Sequence, residues 1–269
     1  MQRSPLFSNL STDRIQLVVA YDGTDFSGWA AQPDRRTVHR TLTEAVRQVC
    51  GEECEIIGAS RTDSGAHARH QVAHFDCGVN IPVENWKRAL NAWLPLDVSV
   101  RSVRRVRPDF HSRFSAIDRL YRYRIRCGDR PPCASRYAFD THHRLDLDKM
   151  RKAAEPLVGS RNFWALSEEV PRDANPIREV FDLQVRRSGP EIWIDVRGNA
   201  FMRGMMRRIA GGLYEVGRGR RRPESLDEIL TLGTNVVESD RPVVLPARGL
   251  CLMKIRYGRH PKDFREQPV

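Results

Sequence analysis

The sequence predicts an α+β fold built from two halves that each run β-α-β-β-α-β. Three observations support this prediction. Short segments with alternating apolar residues indicate strands, segments with apolar residues three and four apart indicate helices, and the order of these segments occurs twice along the chain. That order is the split βαβ, or ferredoxin-like, unit.

The first half is predicted to occupy residues 12–108. Alternating apolar residues from Arg14 to Tyr21 predict its first strand, and Val38, Leu42 and Val46 mark a helix for which Thr37 is a suitable N-cap. Its other elements are predicted as strands at 55–59, 70–76 and 98–106 and a helix that begins at Pro82.

The second half is predicted to occupy residues 109–260. It has predicted strands at 120–126, 177–187, 191–197 and 249–257, helices at 146–158 and about 200–216, and a shorter helix from about 223. The junction at 108–115 lacks the composition of a flexible linker. We therefore expect one continuous antiparallel sheet with a basic central cleft where the halves meet.

The composition favours a polyanionic partner. The net charge is +11 and the pI is about 9.8. Of the 45 basic residues 40 are Arg, whose guanidinium suits bidentate phosphate contacts and stacking on bases. A codon bias toward Arg is an alternative explanation of that share, although it does not explain the net charge. Because the chain shows neither a secretory signal nor a bilayer-spanning apolar segment, we expect a cytoplasmic protein.

The cysteines and histidines give little support for a metal site. The six cysteines show no C-x-x-C pair, so we expect reduced thiols that pack mostly as small apolar residues. His67, His70, His74 and Cys77 are close in sequence, but the alternation around them predicts a strand that would place Cys77 on the face opposite His70 and His74. No second pair of ligands supports the site, and we predict no metal.

The segment GASRTDSGAHARH (58–70) raises a question of function. Asp63, Ser64 and Gly65 suit a tight turn between two predicted strands, which is an adequate structural explanation. The alternative is that the turn displays Arg61 and Asp63 for chemistry. The rest of the sequence has to decide between the two.

The segment RLYRYRIR (119–126) is predicted to be a strand with two distinct faces. Arg119, Tyr121 and Tyr123 share one face, and Arg122 lies on the other with Arg124. A tyrosine beside arginines can stack on a base and hold its phosphate. For Tyr123 an ordinary position inside the sheet is an equally good explanation.

The segment NAFMRGMMRRIAGGLYEVG (199–217) is predicted to be a helix with an apolar stripe. Arg203 and Arg207 flank this stripe with Tyr214, so an arginine there can reach into a cleft. Gly211 and Gly212 permit the close approach of another backbone.

Six segments resemble motifs that occur together, and in this order, in one protein family. They are YDGTDFSGW (21–29), SRTDSGAHA (60–68), RFSAIDRLYRYRI (113–125), NFWAL (162–166), NAFMRGMMR (199–207) and LPARGLCL (245–252). On these motifs, which extend over nearly the whole chain, the sequence resembles the TruA family of tRNA pseudouridine synthases. The resemblance implies a pseudouridine synthase fold and a homodimer that isomerises uridines at positions 38, 39 and 40 of the tRNA anticodon stem-loop.

The resemblance also implies roles for individual residues. Asp63 corresponds to the catalytic aspartate, Arg61 to the arginine that helps to flip the uridine, and Arg207 to the arginine that pairs with the aspartate. Tyr121 corresponds to the tyrosine that stacks on the target base and is a candidate acceptor of its C5 proton. We predict that Arg119, Arg122, Arg203 and Tyr123 complete the substrate-binding surface.

The implied reaction requires no cofactor and no metal, because it changes no oxidation state and transfers no group between molecules. A carboxylate would either attack C1′ or remove a proton from C2′, and it must be ionised for both routes. The sequence leaves both routes open.

Three alternatives to this interpretation are a non-catalytic RNA-binding module, a divergent synthase that acts on another RNA site, and a metal-dependent hydrolase. A binding module gains nothing from a carboxylate that faces phosphates. A metal-dependent hydrolase needs a cluster of carboxylates, and none lies beside Asp63 in the sequence. Glu168 and Glu169 are predicted to lie in a solvated loop.

Overall fold

One sheet passes through both halves of the protein. The computed structural model describes residues 12–129, 131–132, 135–171 and 174–258, and within them ten strands form this sheet. The strands are β1 (Asp13–Tyr21), β2 (Ile57–Gly58), β3 (His67–Cys77), β4 (Val98–Val106), β5 (Ala116–Cys127), β6 (Phe139–Thr141), β7 (Gly159–Asn162), β8 (Ile177–Ser188), β9 (Glu191–Gly198) and β10 (Leu250–Tyr257). The α-helices of the same residues are α1 (Val38–Cys50), α2 (Val83–Trp93), α3 (Leu147–Ala154), α4 (Met205–Gly217) and α5 (Ser225–Leu232).

The strand order confirms the predicted duplication. The path through the sheet is β4-β1-β3-β10-β5-β9-β8-β7, with β2 paired to β3 and β6 paired to β5. In the first half β4, β1, β3 and β2 are neighbours, and in the second half β10, β5, β9 and β8 follow the same scheme. The predicted boundary between residues 108 and 109 stays a prediction.

The sheet is mostly antiparallel, not wholly antiparallel as predicted. β10 pairs with β3 in parallel through Cys251–His67 and Leu252–Ala68, and β6 pairs with β5 in parallel. The short parallel pairing of β3 and β10 joins the two halves. It exists because β2 covers only Ile57 and Gly58, which leaves the rest of that edge of β3 free for β10.

Local sequence signals account for most element boundaries. The Thr37 side chain accepts a hydrogen bond from the Arg40 N–H as the predicted N-cap of α1, and Gly51 ends the helix at φ 76°. The prediction that a helix starts near 200 is wrong by about one turn. Gly204 has φ 67°, outside the right-handed helical region, so α4 begins at Met205.

The predicted close approach at the glycines of α4 is confirmed. A Cβ atom on Gly211 would lie 1.7 Å from the Val243 carbonyl oxygen, and one on Gly212 would lie 2.7 Å from the Leu226 side chain. The segment before β10 therefore packs directly on the helix backbone. This contact fixes α4 relative to the sheet.

None of the helices in the described residues is long and apolar enough to span a membrane.

His74 is buried in the predicted strand β3 and accepts a hydrogen bond. Its side chain is 2% exposed, and the Ser112 backbone N–H donates to its Nδ1 at 3.2 Å. Burial, followed by the nearby Arg14 charge, lowers the pKa of His74 to about 4. A proton on Nδ1 would face the Ser112 N–H, so the folded state holds this imidazole neutral.

We predict that acid weakens the fold through His74. The unfolded chain binds this proton with a pKa of about 6.5 and the folded chain with a pKa of about 4. The stabilising contribution is therefore complete above about pH 6.5 and is lost as the pH falls toward 4. Between pH 7 and about pH 5 the loss amounts to about 2 kcal/mol.

Urea unfolding at these two pH values checks the prediction, with His74→Asn as the matched control. The asparagine Oδ1 occupies nearly the position of the His74 Nδ1, so it can still accept from Ser112, and it does not titrate. Between the two pH values, the free energy of unfolding should fall in both proteins. The fall should be about 2 kcal/mol smaller for the variant than for the wild type. Equal losses in the two proteins would contradict the assignment to His74.

Candidate active site

The loop that carries Asp63 is held by the segment 21–29. The Tyr21 hydroxyl and Thr62 Oγ1 are 2.7 Å apart, and the Trp29 N–H donates to the Thr62 carbonyl at 3.1 Å. On the other side of Asp63, the Gly65 N–H donates to the Phe26 carbonyl at 3.2 Å. The backbone on both sides of Asp63 is therefore fixed.

Two glycines in the same segment bring it close enough to make these bonds. A Cβ atom on Gly23 would lie 1.9 Å from the Ala66 carbonyl oxygen, and one on Gly28 would lie 2.8 Å from the Thr62 carbonyl oxygen. Gly28 also has φ 88°, in the left-handed region that favours glycine. The glycines in YDGTDFSGW therefore serve to seat the loop.

The start of the loop is held by Gln71 and Arg119. Gln71 donates through Nε2 to the Ser60 carbonyl at 2.6 Å and accepts through Oε1 from the Ser60 N–H at 3.3 Å. Arg119, which is 7% exposed, donates to the carbonyls of Arg113 at 2.7 Å and Ala59 at 3.4 Å. The donors of Arg119 are directed to protein carbonyls in the interior, and its role in substrate binding stays a prediction.

Asp63 and Arg207 meet across the junction of the two halves. Arg207 Nη1 lies 3.3 Å from the Asp63 Oδ2, and the two side chains are 22% and 25% exposed. Arg207 Nε donates to the Leu245 carbonyl at 2.8 Å, which fixes the direction of the guanidinium. This arrangement complements the negative charge of Asp63 and leaves the carboxylate open to solvent on one side.

Glu168 is also part of this group. Its Oε2 lies 3.5 Å from Arg207 Nη1, so the guanidinium is shared between two carboxylates. The prediction of a solvated loop is wrong for Glu168, which is partly buried, whereas Glu169 is exposed. Gly204 is the reason that Glu168 fits, because a Cβ atom there would lie 2.2 Å from the Glu168 Oε2.

Tyr121 lies under the start of the same loop. Its hydroxyl is 2.7 Å from Ser60 Oγ, and its ring packs edge to face on Phe201 at 5.0 Å between centroids. The ring is 4% exposed, and burial raises the pKa of Tyr121 to about 12. The phenol is therefore neutral at neutral pH.

Arg61 and Arg203 are the exposed arginines of the site. For Arg61, two residues before Asp63, the structure shows no ion pair with any described residue. Arg203 is 64% exposed and pairs with Glu169. Arg61 thus presents an exposed positive charge on the loop that carries Asp63, whereas the charge of Arg203 is offset by Glu169.

Tyr123 and Arg122 do not lie on the surface that contains Asp63. Tyr123 is fully buried and donates its hydroxyl to the Pro246 carbonyl at 2.6 Å. Arg122 lies on the opposite face of the sheet, where its guanidinium pairs with Asp195 at 2.6 Å and stacks on Trp193 at 3.9 Å. The alternation of β5 sets the two faces but does not reveal what covers them, and the substrate-binding roles of Tyr123 and Arg122 stay predictions.

The chain matches the model of a known family. A family model described as "tRNA pseudouridine synthase" matches residues 17–115 and 153–258, which is more than half of the chain. The chain belongs to this tRNA pseudouridine synthase family.

Curated relatives in this family align over nearly the full chain. A protein of Brevibacillus brevis called "tRNA pseudouridine synthase A" is 40% identical over 251 residues, which cover 91% of this chain and 99% of that protein. One of the same name from Syntrophotalea carbinolica is 37% identical over 253 residues, 94% of this chain and 98% of that protein. The similarity to a chain in a solved Cbf5-Nop10-Gar1 complex covers 74% of this chain and 54% of that chain, at 12% identity. Its TM-score of 0.31 is too low to support an argument about this protein.

We predict that Gly23→Ala destabilises the protein through the Asp63 loop. The new Cβ would overlap the Ala66 carbonyl oxygen at 1.9 Å, so the backbone of the loop or of residues 21–29 must move. Overpacking of this kind costs about 1–3 kcal/mol. Urea unfolding measures the loss.

Gly78→Ala is the matched control for this substitution. The nearest atom to its new Cβ is a Glu52 carboxylate oxygen at 3.7 Å, which is an ordinary contact. The control should change the free energy of unfolding by less than about 1 kcal/mol. If both variants were equally stable, the packing of Gly23 against the loop would not be as described.

Proposed function

We propose that this chain isomerises uridine to pseudouridine at positions 38, 39 and 40 of the tRNA anticodon stem-loop, with Asp63 as the catalytic carboxylate. The observation that carries the proposal is the contact of 3.3 Å between Asp63 and Arg207 at the junction of the halves. Family membership supports the reaction, and the resemblance to TruA supports the position in the tRNA.

The chemistry accounts for a carboxylate in this place. The bond between N1 and C1′ of the uridine breaks, the uracil turns, and a bond forms between C5 and C1′. The proton on C5 leaves and N1 gains a proton, so the atoms balance without any redox partner. Asp63 either attacks C1′ or removes the C2′ proton, and Arg207 complements the charge that both routes require.

Arg61 and Tyr121 are proposed to handle the extruded base. A uridine must leave the stack before the carboxylate can reach its sugar, at a cost of a few kcal/mol. Arg61 is exposed and lies on the same loop, so it can occupy the gap in the RNA. Tyr121 is neutral, so it can accept the C5 proton only if its own proton passes to Ser60, 2.7 Å away, and the Ser60 hydroxyl releases its proton to solvent in turn.

The partner of the site is tRNA, and we propose the cytoplasm as the location of the protein. The homodimer is an expectation of the family resemblance alone. The contact between Asp63 and Arg207 does not depend on it, because both residues lie in one chain. A binding module without catalysis is the competing function, and Asp63 is the residue that discriminates between them.

We predict that Asp63→Asn abolishes the reaction without unfolding the protein. Asparagine is nearly isosteric but lacks the charge, and the backbone bonds on either side of residue 63 do not involve its side chain. The rate should fall by at least about 10²- to 10⁴-fold. The assay uses an unmodified tRNA transcript with uridines at 38–40 and no added metal, with pseudouridine mapped by carbodiimide labelling and primer extension.

Asp34→Asn is the matched control. Asp34 is an exposed turn residue with φ 54°, which asparagine also tolerates, so this variant should keep the wild-type rate. Stops at 38–40 with the wild type and the control, but not with Asp63→Asn, would support the proposal. Activity of Asp63→Asn equal to the wild type would refute the role of Asp63. Wild-type stops at other positions would refute the proposed site in the tRNA.

A further inference from the structure

Three thiols and a carboxylate converge at the end of β3 that is remote from Asp63. They belong to Cys50 at the end of α1, Glu52 and Cys54 in the loop that follows, and Cys77 at the end of β3. One potential ligand atom from each residue lies within 4.8 Å of the others. These are the ligand types that zinc prefers, and two of the thiols are buried.

The spacing of the sulfur atoms is that of a tetrahedral metal site. The Sγ atoms of Cys50 and Cys54 are 3.8 Å apart. With Zn–S bonds of about 2.3 Å, tetrahedral geometry places two sulfur ligands about 3.8 Å from each other. The other ligand atoms, at no more than 4.8 Å, need to move by only about 1 Å to complete the tetrahedron.

The local backbone positions these ligands. Gly51 adopts φ 76° and ends α1, so the chain turns back and Cys54 faces Cys50 across a C-x₃-C spacing that zinc sites use. The Gly78 N–H donates to Glu52 Oε1 at 2.8 Å, which orients the carboxylate in the way that hydrogen bonds commonly orient metal ligands. The groups therefore converge from two separate parts of the chain, residues 50–54 and Cys77.

We propose that Cys50, Glu52, Cys54 and Cys77 form a structural Zn²⁺ site. The ion would bind three thiolates and one carboxylate oxygen, and the three thiol protons would leave to solvent without any redox step. Since the protein supplies all four ligands, no position is open for substrate, and the site is structural in kind. It would fasten α1 and the following loop to β3.

This site is independent of the proposed catalytic site. Asp63 precedes the first residue of β3, whereas Cys77 is the last. Ten residues of extended strand separate the two ends by roughly 33 Å. The site goes beyond the expectation that the cysteines are packed as small apolar residues, and it leaves the metal-free chemistry of Asp63 unchanged.

The first test is the metal content of the untagged full-length protein. Elemental analysis should give about one zinc per chain. The metal is then removed under reducing conditions and replaced by Co²⁺. A tetrahedral thiolate site should give intense visible bands and a near-ultraviolet thiolate-to-cobalt charge-transfer band. This readout needs no variant and does not depend on activity.

Variants assign the ligands. Cys54→Ser should lower the zinc content at least about tenfold, and Glu52→Gln, which can still accept from Gly78, should weaken zinc affinity about 10- to 100-fold. Cys127→Ser is the matched control, because Cys127 is a free thiol at the end of β5 and should leave the zinc content unchanged. If Cys54→Ser does not fold, Glu52→Gln and the cobalt spectrum carry the test.

Two results would overturn the proposal. One is a reduced, folded protein that holds no zinc and gives no charge-transfer band with Co²⁺. The other is a native mass two hydrogens below the reduced mass with Cys50 and Cys54 linked in one peptide, which would show a disulfide in place of a metal site. Zinc content that falls equally in Cys127→Ser and Cys54→Ser would also contradict the assigned ligands.

Discussion

The contact between Asp63 and Arg207 depends on how the two halves share one sheet. Asp63 precedes β3, and the carbonyl of Leu245 that orients Arg207 lies just before β10. The parallel pairing of His67 with Cys251 brings the starts of these two strands together. One short pairing between the halves therefore places the carboxylate and the guanidinium within reach, although they are 144 residues apart in the chain.

Arginine has two separate uses in this protein. Arg119 holds backbone carbonyls in the interior, and Arg122 neutralises Asp195 on the far face of the sheet. Arg61 instead lies exposed beside Asp63 with no ion pair among the described residues. Only part of the excess positive charge is therefore available to bind RNA. Proximity to Asp63 distinguishes the arginines that are suited to contact substrate from the arginines that stabilise the fold.

The sequence predicts what is local or repeated. The Thr37 cap, the strand at β3 and the repeated β-α-β-β-α-β order all come from short-range patterns, and each is confirmed. The contact of Glu168 with Arg207 could not be predicted, because the two residues are 39 positions apart and no local pattern links them. For Tyr123 the sequence left a position inside the sheet and a role in binding both open, because strand periodicity does not reveal that residues 245–249 cover that face. The cysteine cluster was missed because Cys77 meets the C-x₃-C pair of residues 50–54 only in the folded chain.

A comparison of Arg207→Lys with Arg208→Lys tests whether the contact between Arg207 and Asp63 supports the reaction. Both arginines lie on α4 and donate to carbonyls of the segment before β10, but only Arg207 reaches Asp63. With saturating tRNA in single turnover, Arg207→Lys should slow pseudouridine formation about ten- to hundredfold, because one charge-assisted contact is worth about 1.5–3 kcal/mol. Arg208→Lys should keep the rate, even where it lowers the thermal midpoint. Equal rates in the two variants would contradict the account.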